Sequence, residues 1–252
     1  MEASKLLTCA LDIGEQMLLS GAEVGRVETT IKLICTAYGC SRADVFTITS
    51  SIVVSIVSKE GAHLTQSRRI LGSRTDLTKL DRLNSLSREI CKNTPEHTYV
   101  QEQLQRICAG KAFPLWFEAL ASALIGGAFT LLFGGGWLDG LVACFLGGGI
   151  RFCTWLLQKA GMNQIFINAV TSFLLSFSSI SLVRLGLGWD ANQIIIGNIM
   201  LLIPGIALTN SLRDMISGDI MSGMLRFFDA VLVAASIAAG YILAAQLLGG
   251  GL

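Results

Sequence analysis

The segment from Asn198 to Asp219, NIMLLIPGIALTNSLRDMISGD, places hydrogen-bonding side chains and a helix breaker inside a run apolar enough for lipid. Because proline has no N–H, Pro204 leaves the carbonyl of Met200 without its helical donor, and Gly205 lets the backbone bend. Unpaired backbone at membrane depth is tolerated where it lines a cavity or bonds a neighbour, as in the broken helices of many transporters. The segment therefore predicts a permeation pathway, and the alternative is a packing kink.

Polar and small residues also recur at helical spacing on other apolar segments. The stripes are Glu118, Ser122, Gly126 and Thr130; Asn168, Ser172, Ser176 and Ser179; and Asn198, Leu202, Gly205 and Thr209. Any single serine can bond the carbonyl four residues earlier in its own helix. Three such stripes would be costly in lipid, so we expect them to face each other or water. The candidate pathway residues are Glu118, Asn168, Ser172, Asn198, Pro204, Gly205, Thr209, Asn210, Arg213 and Asp214.

Four charged residues of the apolar part suggest roles in transport. Arg213, with Arg151 as a second candidate, can attract a carboxylate, and Glu118 or Asp214 can carry a coupling proton. The alternatives are that Arg213 and Asp214 form a gate pair or a snorkelling anchor, and that Glu118 reaches the headgroups.

The most pointed motif of the polar part is GAEVGRVETTI, from Gly21 to Ile31. Glu23 stands three residues before Arg26, a spacing that allows an ion pair along a helix. One interpretation is a helix start with acids favoured by the dipole and a surface ion pair. The other is a ligand or interface site that also uses Arg68 and Arg69. The candidate residues of this motif are Gly21, Glu23, Arg26 and Glu28.

Catalytic and metal chemistry finds little support. Hydroxyls at Thr47, Thr49, Ser50 and Ser51 have no histidine nearby in sequence and no G-x-S-x-G elbow, so we predict no enzyme and no catalytic residue. The seven cysteines show no C-x-x-C spacing and the chain has two histidines, so we expect reduced thiols, no metal site and no cofactor. A net charge of +1 gives no indication of nucleic-acid binding.

The uneven distribution of charged residues indicates that one part of the chain lies in water and the other in lipid. Residues 1–113 hold 14 of the 19 Lys and Arg and 12 of the 18 Asp and Glu, whereas the rest is strongly apolar. The predicted division is an α+β cytoplasmic domain at 1–110 and an all-α bundle at 111–252. Near the amino terminus the apolar pattern contains acidic residues and no continuous hydrophobic region, so no signal peptide is expected.

Five transmembrane helices are predicted in the second part, at about 113–133, 137–157, 165–183, 193–212 and 227–248, each near the ~20 residues that cross a bilayer. Lys and Arg lie in alternate connections, on the side of the basic amino-terminal domain. This predicts a multi-pass protein of the inner membrane with its amino terminus in the cytoplasm and its tail, Gly249–Leu252, outside. Small residues four apart, such as Ala143 and Gly147, indicate close helix packing.

The domain at 1–110 is predicted to open with two amphipathic helices that end near Gly21 and Gly39. Two or three strands follow, with a turn at Lys59–Gly61. A third helix is predicted from about Asp76 to Lys92. Thr94 and Pro95 predict an N-cap and first position for the last helix.

The sequence resembles the threonine/serine exporter family. The resemblance rests on SGAEVGRVETTI, the Thr/Ser-rich strands with SRR, and NIMLLIPGIALTNSLRDMISGDIMSGMLR, and covers nearly the whole chain. It is closest to the shorter split members, in which a cytoplasmic domain and five spans form one subunit. Longer members carry a second set of spans, so the resemblance implies a second small multi-span membrane subunit as partner, with homo-oligomers as a further association. It also implies proton-driven export of threonine, serine or dicarboxylates such as succinate.

Two other functions compete with export of a small-molecule substrate. One is a membrane-anchored hydrolase whose soluble domain carries the activity, and the other is a sensor whose soluble domain binds a regulator. An anchor needs one span and no polar stripes, so five predicted spans with three stripes favour the exporter.

Overall fold

The computed structural model describes residues 2–72, 75–110 and 113–248. The chain divides by packing into two units, residues 1–111 with 206–228 and residues 112–205 with 229–252. Each unit is therefore assembled from two separate stretches of chain. The predicted carboxyl-terminal tail lies outside the described residues.

The first unit contains helices and an antiparallel sheet. Its elements are α1 (Ala3–Leu19), α2 (Val24–Ala37), β1 (Arg42–Ile48), β2 (Ser51–Val57), β3 (His63–Arg69), α3 (Leu77–Asn93), α4 (His97–Cys108), α9 (Gly205–Ile216, from residue 206) and the first residues of α10 (Ile220–Leu247). The predicted helix–strand–helix order and the turn at Lys59–Gly61 are confirmed, and Gly61 has the positive φ of 83° that such a turn favours.

The sheet has the order β1-β2-β3, with both pairs antiparallel. On the central strand Ile52, Val54 and Ile56 are buried while their neighbours are partly exposed. This period of two places the apolar face of β2 in one core with the buried faces of α1 and α2. The alternation explains why β-branched residues dominate this strand.

The start of α4 differs from the prediction. Thr94 is the C-cap of α3, in a left-handed conformation with φ of 42°, and its N–H bonds the Ile90 carbonyl at 2.9 Å. Glu96 precedes the first residue of α4 instead. Thr94 closes one helix rather than opening the next, so Pro95 falls in the connection. The N-cap predicted from the Thr-Pro pair is wrong.

The second unit is helical. It contains α5 (Leu115–Leu132), α6 (Trp137–Lys159), α7 (Gln164–Arg184), α8 (Ala191–Ile199) and most of α10. Among the described residues, α5, α6, α7 and α10 are long and apolar enough to cross a membrane, by length and composition. The last of these begins at Ile220 rather than at the predicted 227. The protein is therefore a membrane protein with a small α+β part.

The fourth predicted span is two short helices rather than one. Helix α8 ends at Ile199, residues 200–204 form turns, and α9 begins at Gly205. A break at Pro204 was expected, but its extent was not. As a result Asn198 and Thr209 lie on different helices, and the stripe expected to join them along one helix face does not exist.

Small residues let the helices of the second unit approach closely, as predicted. A Cβ built on Gly147 would lie 2.7 Å from the Ser122 carbonyl oxygen. One built on Gly240 would lie 2.3 Å from the Ala169 carbonyl oxygen. Both distances are shorter than van der Waals contact, so these helices pack backbone to backbone where only glycine fits.

Candidate functional site

A cavity of about 330 Å³ lies beside the break in the fourth segment. Leu201, Leu202 and Pro204 of the break form part of its wall. Helices α5, α6, α7 and α10 complete the lining with Ser122, Gly147, Ile150, Arg151, Thr154, Gln164, Asn168 and Val233. The cavity is at the small end of the size range of ligand sites, and its mixed wall can hold a small polar molecule.

Arg151 is the one ionisable side chain among these lining residues. Its Nη2 donates a hydrogen bond to Glu118 Oε2, so that α6 and α5 are joined by an ion pair. The two side chains are 19% and 23% exposed. Glu118 on α5 is therefore paired with a residue of the neighbouring helix, and this residue, Arg151, lines the cavity.

Two neutral polar side chains of the cavity wall, Gln164 and Asn168, are joined by a hydrogen bond. Gln164 Nε2 donates to Asn168 Oδ1 at 2.9 Å within the first turns of α7. Asn168 is 4% exposed. This hydrogen bond orders the amide of Asn168, whereas the lining residues from the break, Leu201, Leu202 and Pro204, are apolar.

Asn198 is fully buried at the end of α8. Its Nδ2 donates to the Ile194 carbonyl at 3.1 Å, while its Oδ1 meets no donor among the described residues. Gly126 and Gly147 make room for this oxygen, because a Cβ on either would come within 2.4 or 2.9 Å of it. A buried amide oxygen without a donor is an acceptor position for water or a polar ligand group.

The stripes on α5 and α7 point inward. Thr130 and Ser179 are fully buried and donate to carbonyls four residues earlier in their own helices. Ser172 instead donates to the Ile237 carbonyl of α10 at 2.7 Å. Ser172 thus joins two helices, whereas the other two hydroxyls are satisfied locally.

In the first unit, the two motifs of the sequence meet. Asp214 near the end of α9 is 2% exposed, and its Oδ1 accepts the Val24 N–H at the start of α2 at 3.3 Å. Its Oδ2 faces Arg226 Nε at 3.5 Å, and Arg226 also donates to the Ala22 carbonyl at 2.7 Å. A carboxylate at this position compensates the unpaired N–H groups and the positive dipole end of α2.

Two further contacts border Asp214. Arg213 pairs with Glu23 at 2.7 Å, and Asn210 Nδ2 donates to the Gly21 carbonyl at 3.1 Å. Glu23 precedes the first residue of α2 and bonds Arg213, whereas Arg26 is exposed. The ion pair expected between Glu23 and Arg26 is therefore replaced by one with α9.

Glu28 lies one turn further along α2. Its Oε1 accepts the Thr47 N–H of β1 at 2.9 Å, and Lys32 lies 3.9 Å from its Oε2. Burial raises the pKa of Glu28, with a smaller contribution from Asp219, against the lowering effects of the Thr47 N–H and Lys32. Arg68 pairs with Asp12 and Glu15 of α1 at 3.0 and 3.7 Å, and a ligand or interface site that uses Arg68 and Arg69 stays a prediction.

The hydroxyl of Thr47 is not placed for catalysis with His63. Thr47 pairs with Ile52 and His63 with Val57, five residues apart along β2. That separation is about 17 Å at the rise of an antiparallel strand. The sheet therefore keeps this hydroxyl and this imidazole at opposite ends.

The structure places seven of the fourteen predicted site residues in two groups. Asn168 and Pro204 line the cavity, and Gly21, Glu23, Asn210, Arg213 and Asp214 share the contact between α2 and α9. Gln164 and Arg226 were not among the residues predicted for a site. No local pattern marks Arg226, because its partners Asp214 and Ala22 lie on other elements, whereas Gln164 bonds Asn168 four residues later on the same helix.

A helical membrane protein with a polar cavity beside a broken segment is the class that these features define. A family model described as "Putative threonine/serine exporter" matches residues 8–248, and the chain belongs to this family. No solved structure matches the chain.

Two relatives show the range of the family. The chain is 28% identical to a protein of Corynebacterium glutamicum named "Threonine/serine exporter", over 98% of this chain and 52% of that protein. It is 24% identical to a protein of Klebsiella aerogenes named "Probable succinate transporter subunit YjjP", over 96% and 92%. The chain thus spans about half the length of the first relative and nearly all of the second. These names indicate transporters rather than enzymes, in agreement with the sequence analysis.

Proposed function

We propose that the protein is one subunit of an exporter for small polar metabolites, driven by the proton motive force. The substrates are hydroxy amino acids of the threonine and serine type or dicarboxylates such as succinate. One observation carries the proposal: the break at residues 200–204 borders a cavity whose wall combines Arg151 with neutral polar groups. The names of the relatives agree with this class of function.

The proposed topology has five membrane segments, of which the fourth is the broken pair α8 and α9. The four long apolar helices supply the others. Positive residues in alternate connections support a cytoplasmic amino terminus and an external tail in the inner membrane. The division into a cytoplasmic domain at 1–110 and a membrane domain at 111–252 belongs to the same proposal.

A second multi-span subunit completes the exporter in this proposal. The Corynebacterium relative is about twice as long as the matched region, and the Klebsiella relative is named as a subunit. Odd numbers of spans do not form two equal inverted halves within one chain, which many secondary transporters use. Self-association is the other way to supply the missing half.

Removal of the break tests the proposal. Pro204→Ala with Gly205→Ala should favour one continuous helix, and a Cβ at Gly205 meets no atom within 4 Å. The measurement is initial efflux of labelled threonine, serine and succinate from preloaded cells, normalised to folded protein in the membrane. We expect efflux to fall at least tenfold if the bend shapes the pathway, on the order of 1.4 kcal/mol in the barrier.

A matched double variant controls for proline and glycine as such. Pro114→Ala with Gly149→Ala changes a proline just before α5 and a glycine of α6 whose Cβ would also meet no atom within 4 Å. It should leave efflux near the level of the unchanged protein. If the variant at the break inserts normally and exports at the normal rate, the break is only a packing kink and the site assignment is wrong.

A further inference from the structure

A buried carboxylate joins two connections at the end of the second unit that is opposite the cavity. Asp139, in the first turn of α6, is 1% exposed. Its Oδ2 accepts the Gly136 N–H at 2.9 Å, and its Oδ1 accepts the N–H groups of Trp189 and Asp190 at 2.6 and 3.2 Å. Gly136 lies between α5 and α6, whereas Trp189 and Asp190 directly precede α8. These four residues form the Asp139 bridge.

Aromatic packing reinforces the Asp139 bridge. A Cβ built on Gly136 would clash with the six-membered ring of Trp189, so this ring lies directly on the Gly136 backbone. Trp137 contacts Trp189 edge to face, with 5.9 Å between the ring centroids and an angle of 85° between the rings. Tryptophans at the end of an apolar helix are typical of the membrane–water interface. The two connections are therefore held together by hydrogen bonds and by ring contacts.

Between the cavity and the Asp139 bridge the helices are closely packed. Thr130 of α5 and Ile194 of α8 are both 0% exposed. A Cβ built on Gly197 of α8 would lie 2.6 Å from the main-chain nitrogen of Thr130, so α8 and α5 pack backbone to backbone. On α6 the first residue that lines the cavity is Gly147, about 12 Å from Asp139 along the helix. The cavity is therefore closed toward the end that carries the bridge.

A carboxylate is costly for a contact that is only structural. In the part of the chain that the structure describes, Asp139 has no cationic partner, and a buried charge without a counter-ion is unfavourable. A neutral glutamine at this position of the helix can accept the N-cap N–H without that cost. Hydrogen bonds to a carboxylate are stronger than those to a neutral acceptor, and a carboxylate is also strongly hydrated once water reaches it. Asp139 thus has two favourable states, one with three N–H donors and one with water.

Resting on the proposed exporter function, we propose that the Asp139 bridge is the outer gate of the pathway. In the proposed topology this end of the second unit faces the outside, and the gate is closed in this structure. When Trp189 and Asp190 separate from Asp139, the start of α8 moves away from α5 and α6, water reaches the carboxylate, and the cavity opens to the outside. Asp139 is a positioning residue, because it holds α8 and does not line the cavity.

The accessibility of a cysteine placed behind the gate tests the proposal in intact cells. Thr130→Cys introduces a thiol of similar size at a position that is buried between α5 and α8. A membrane-impermeant thiol reagent is added outside, and mass spectrometry of the peptide that contains residue 130 measures its labelling, so the native cysteines stay in place. We expect slow labelling in resting cells. Labelling should be faster in cells that are preloaded with threonine, serine or succinate and are exporting it.

Asp139→Asn should open the gate without substrate. Asparagine keeps the shape of the side chain, but its amide N–H groups face the N–H donors of the bridge and its charge is gone. Labelling of residue 130 should become roughly ten- to a hundredfold faster, which is the effect of one lost hydrogen bond to a charged group. Initial efflux should fall, because less of the protein presents its cavity to the cytoplasm. Asp229→Asn is the matched control, since it removes the same charge from an exposed position of α10, and it should leave labelling unchanged.

Gly136→Ala tests the gate without a change of charge. Its Cβ would displace the Trp189 ring, while the φ of −74° at this position suits alanine. Labelling of residue 130 should therefore rise as it does in Asp139→Asn, and this variant supplies the measurement if Asp139→Asn does not fold. Gly149→Ala is the matched control, because its Cβ meets no atom within 4 Å. It should label as slowly as the unchanged protein.

A gate and a purely structural contact give different results. If Asp139 only stabilises the fold, Asp139→Asn lowers the amount of folded protein, but residue 130 in the remaining folded protein is labelled at the control rate. That result would overturn the gate while the exporter function stood. The same holds if labelling of residue 130 does not rise in exporting cells. Absence of efflux for all three substrates would instead reject the exporter function.

Discussion

Asp214 and Arg213 are adjacent in α9, yet their ion pairs differ in burial. Asp214 is 2% exposed and contacts Arg226, whose side chain is 13% exposed, whereas the Arg213 side chain is 62% exposed. We predict that Asp214→Ala strongly destabilises the start of α2 and that Arg213→Ala has little effect. The neighbouring position thus supplies the matched control.

The magnitude follows from what each substitution leaves behind. Asp214→Ala removes the acceptor of the Val24 N–H and leaves the Arg226 guanidinium buried beside the Ala22 carbonyl. Breaking a buried pair from one side costs about 3–5 kcal/mol. Arg213→Ala breaks an exposed pair with Glu23, for which about 0–1 kcal/mol is typical.

Amide hydrogen exchange measures both effects in the purified full chain. The peptide containing residues 21–31 should lose protection roughly a hundred- to several-thousandfold in Asp214→Ala, at about 1.4 kcal/mol per tenfold change. Arg226→Met added to Asp214→Ala should recover part of the loss, because it removes the unpaired charge. Equal protection in the Asp214 and Arg213 variants would refute this reasoning, since burial would then make no difference.

Three further predictions concern other positions. Gly197→Ala should lower the yield of folded protein, because its Cβ would lie 2.6 Å from a main-chain nitrogen of α5. Gly149→Ala should not lower the yield, because its Cβ would meet no atom within 4 Å. Fluorescence size-exclusion profiles of the two variants check this. Cys35 should resist maleimide in the folded protein, because burial raises the pKa of its thiol to about 12, while exposed Cys108 should react; equal labelling would contradict this. Because burial raises the pKa of Glu28, its stabilising contribution is present at low pH and is lost as the pH rises through its folded pKa. The unfolding temperature of Glu28→Gln, measured relative to that of the unchanged protein, should therefore rise as the pH increases from 4 to 7. A difference between the two proteins that does not depend on pH would contradict this prediction.

Local patterns predicted most of the elements. The apolar periods of α1 and α2 and the β-branched run of β2 are properties of neighbouring residues, so sequence was sufficient to place them. The fourth segment was harder. A proline predicts that a helix is interrupted, but the length of the turn at residues 200–204 depends on packing that the sequence does not display.

Partners across the fold were not predictable. Glu23 stands three residues from Arg26, and that spacing suggested a local pair, yet Arg213 lies 190 residues away in sequence and binds it. Arg226 and Asp214 likewise belong to different helices. Such contacts depend on tertiary position, which a helical pattern does not specify.

Asp214 also constrains the order in which the protein forms on the ribosome. The start of α2 and the residues that hold it, Asp214 and Arg226, are separated by about 190 residues of nascent chain. When residue 110 has been made, about 120 residues up to 228 are still missing, which is on the order of ten seconds of synthesis. Helices α5 to α8 are translated during this delay. The first unit therefore waits with an incompletely capped helix until the membrane segments that precede α9 have emerged, which makes its completion a late event.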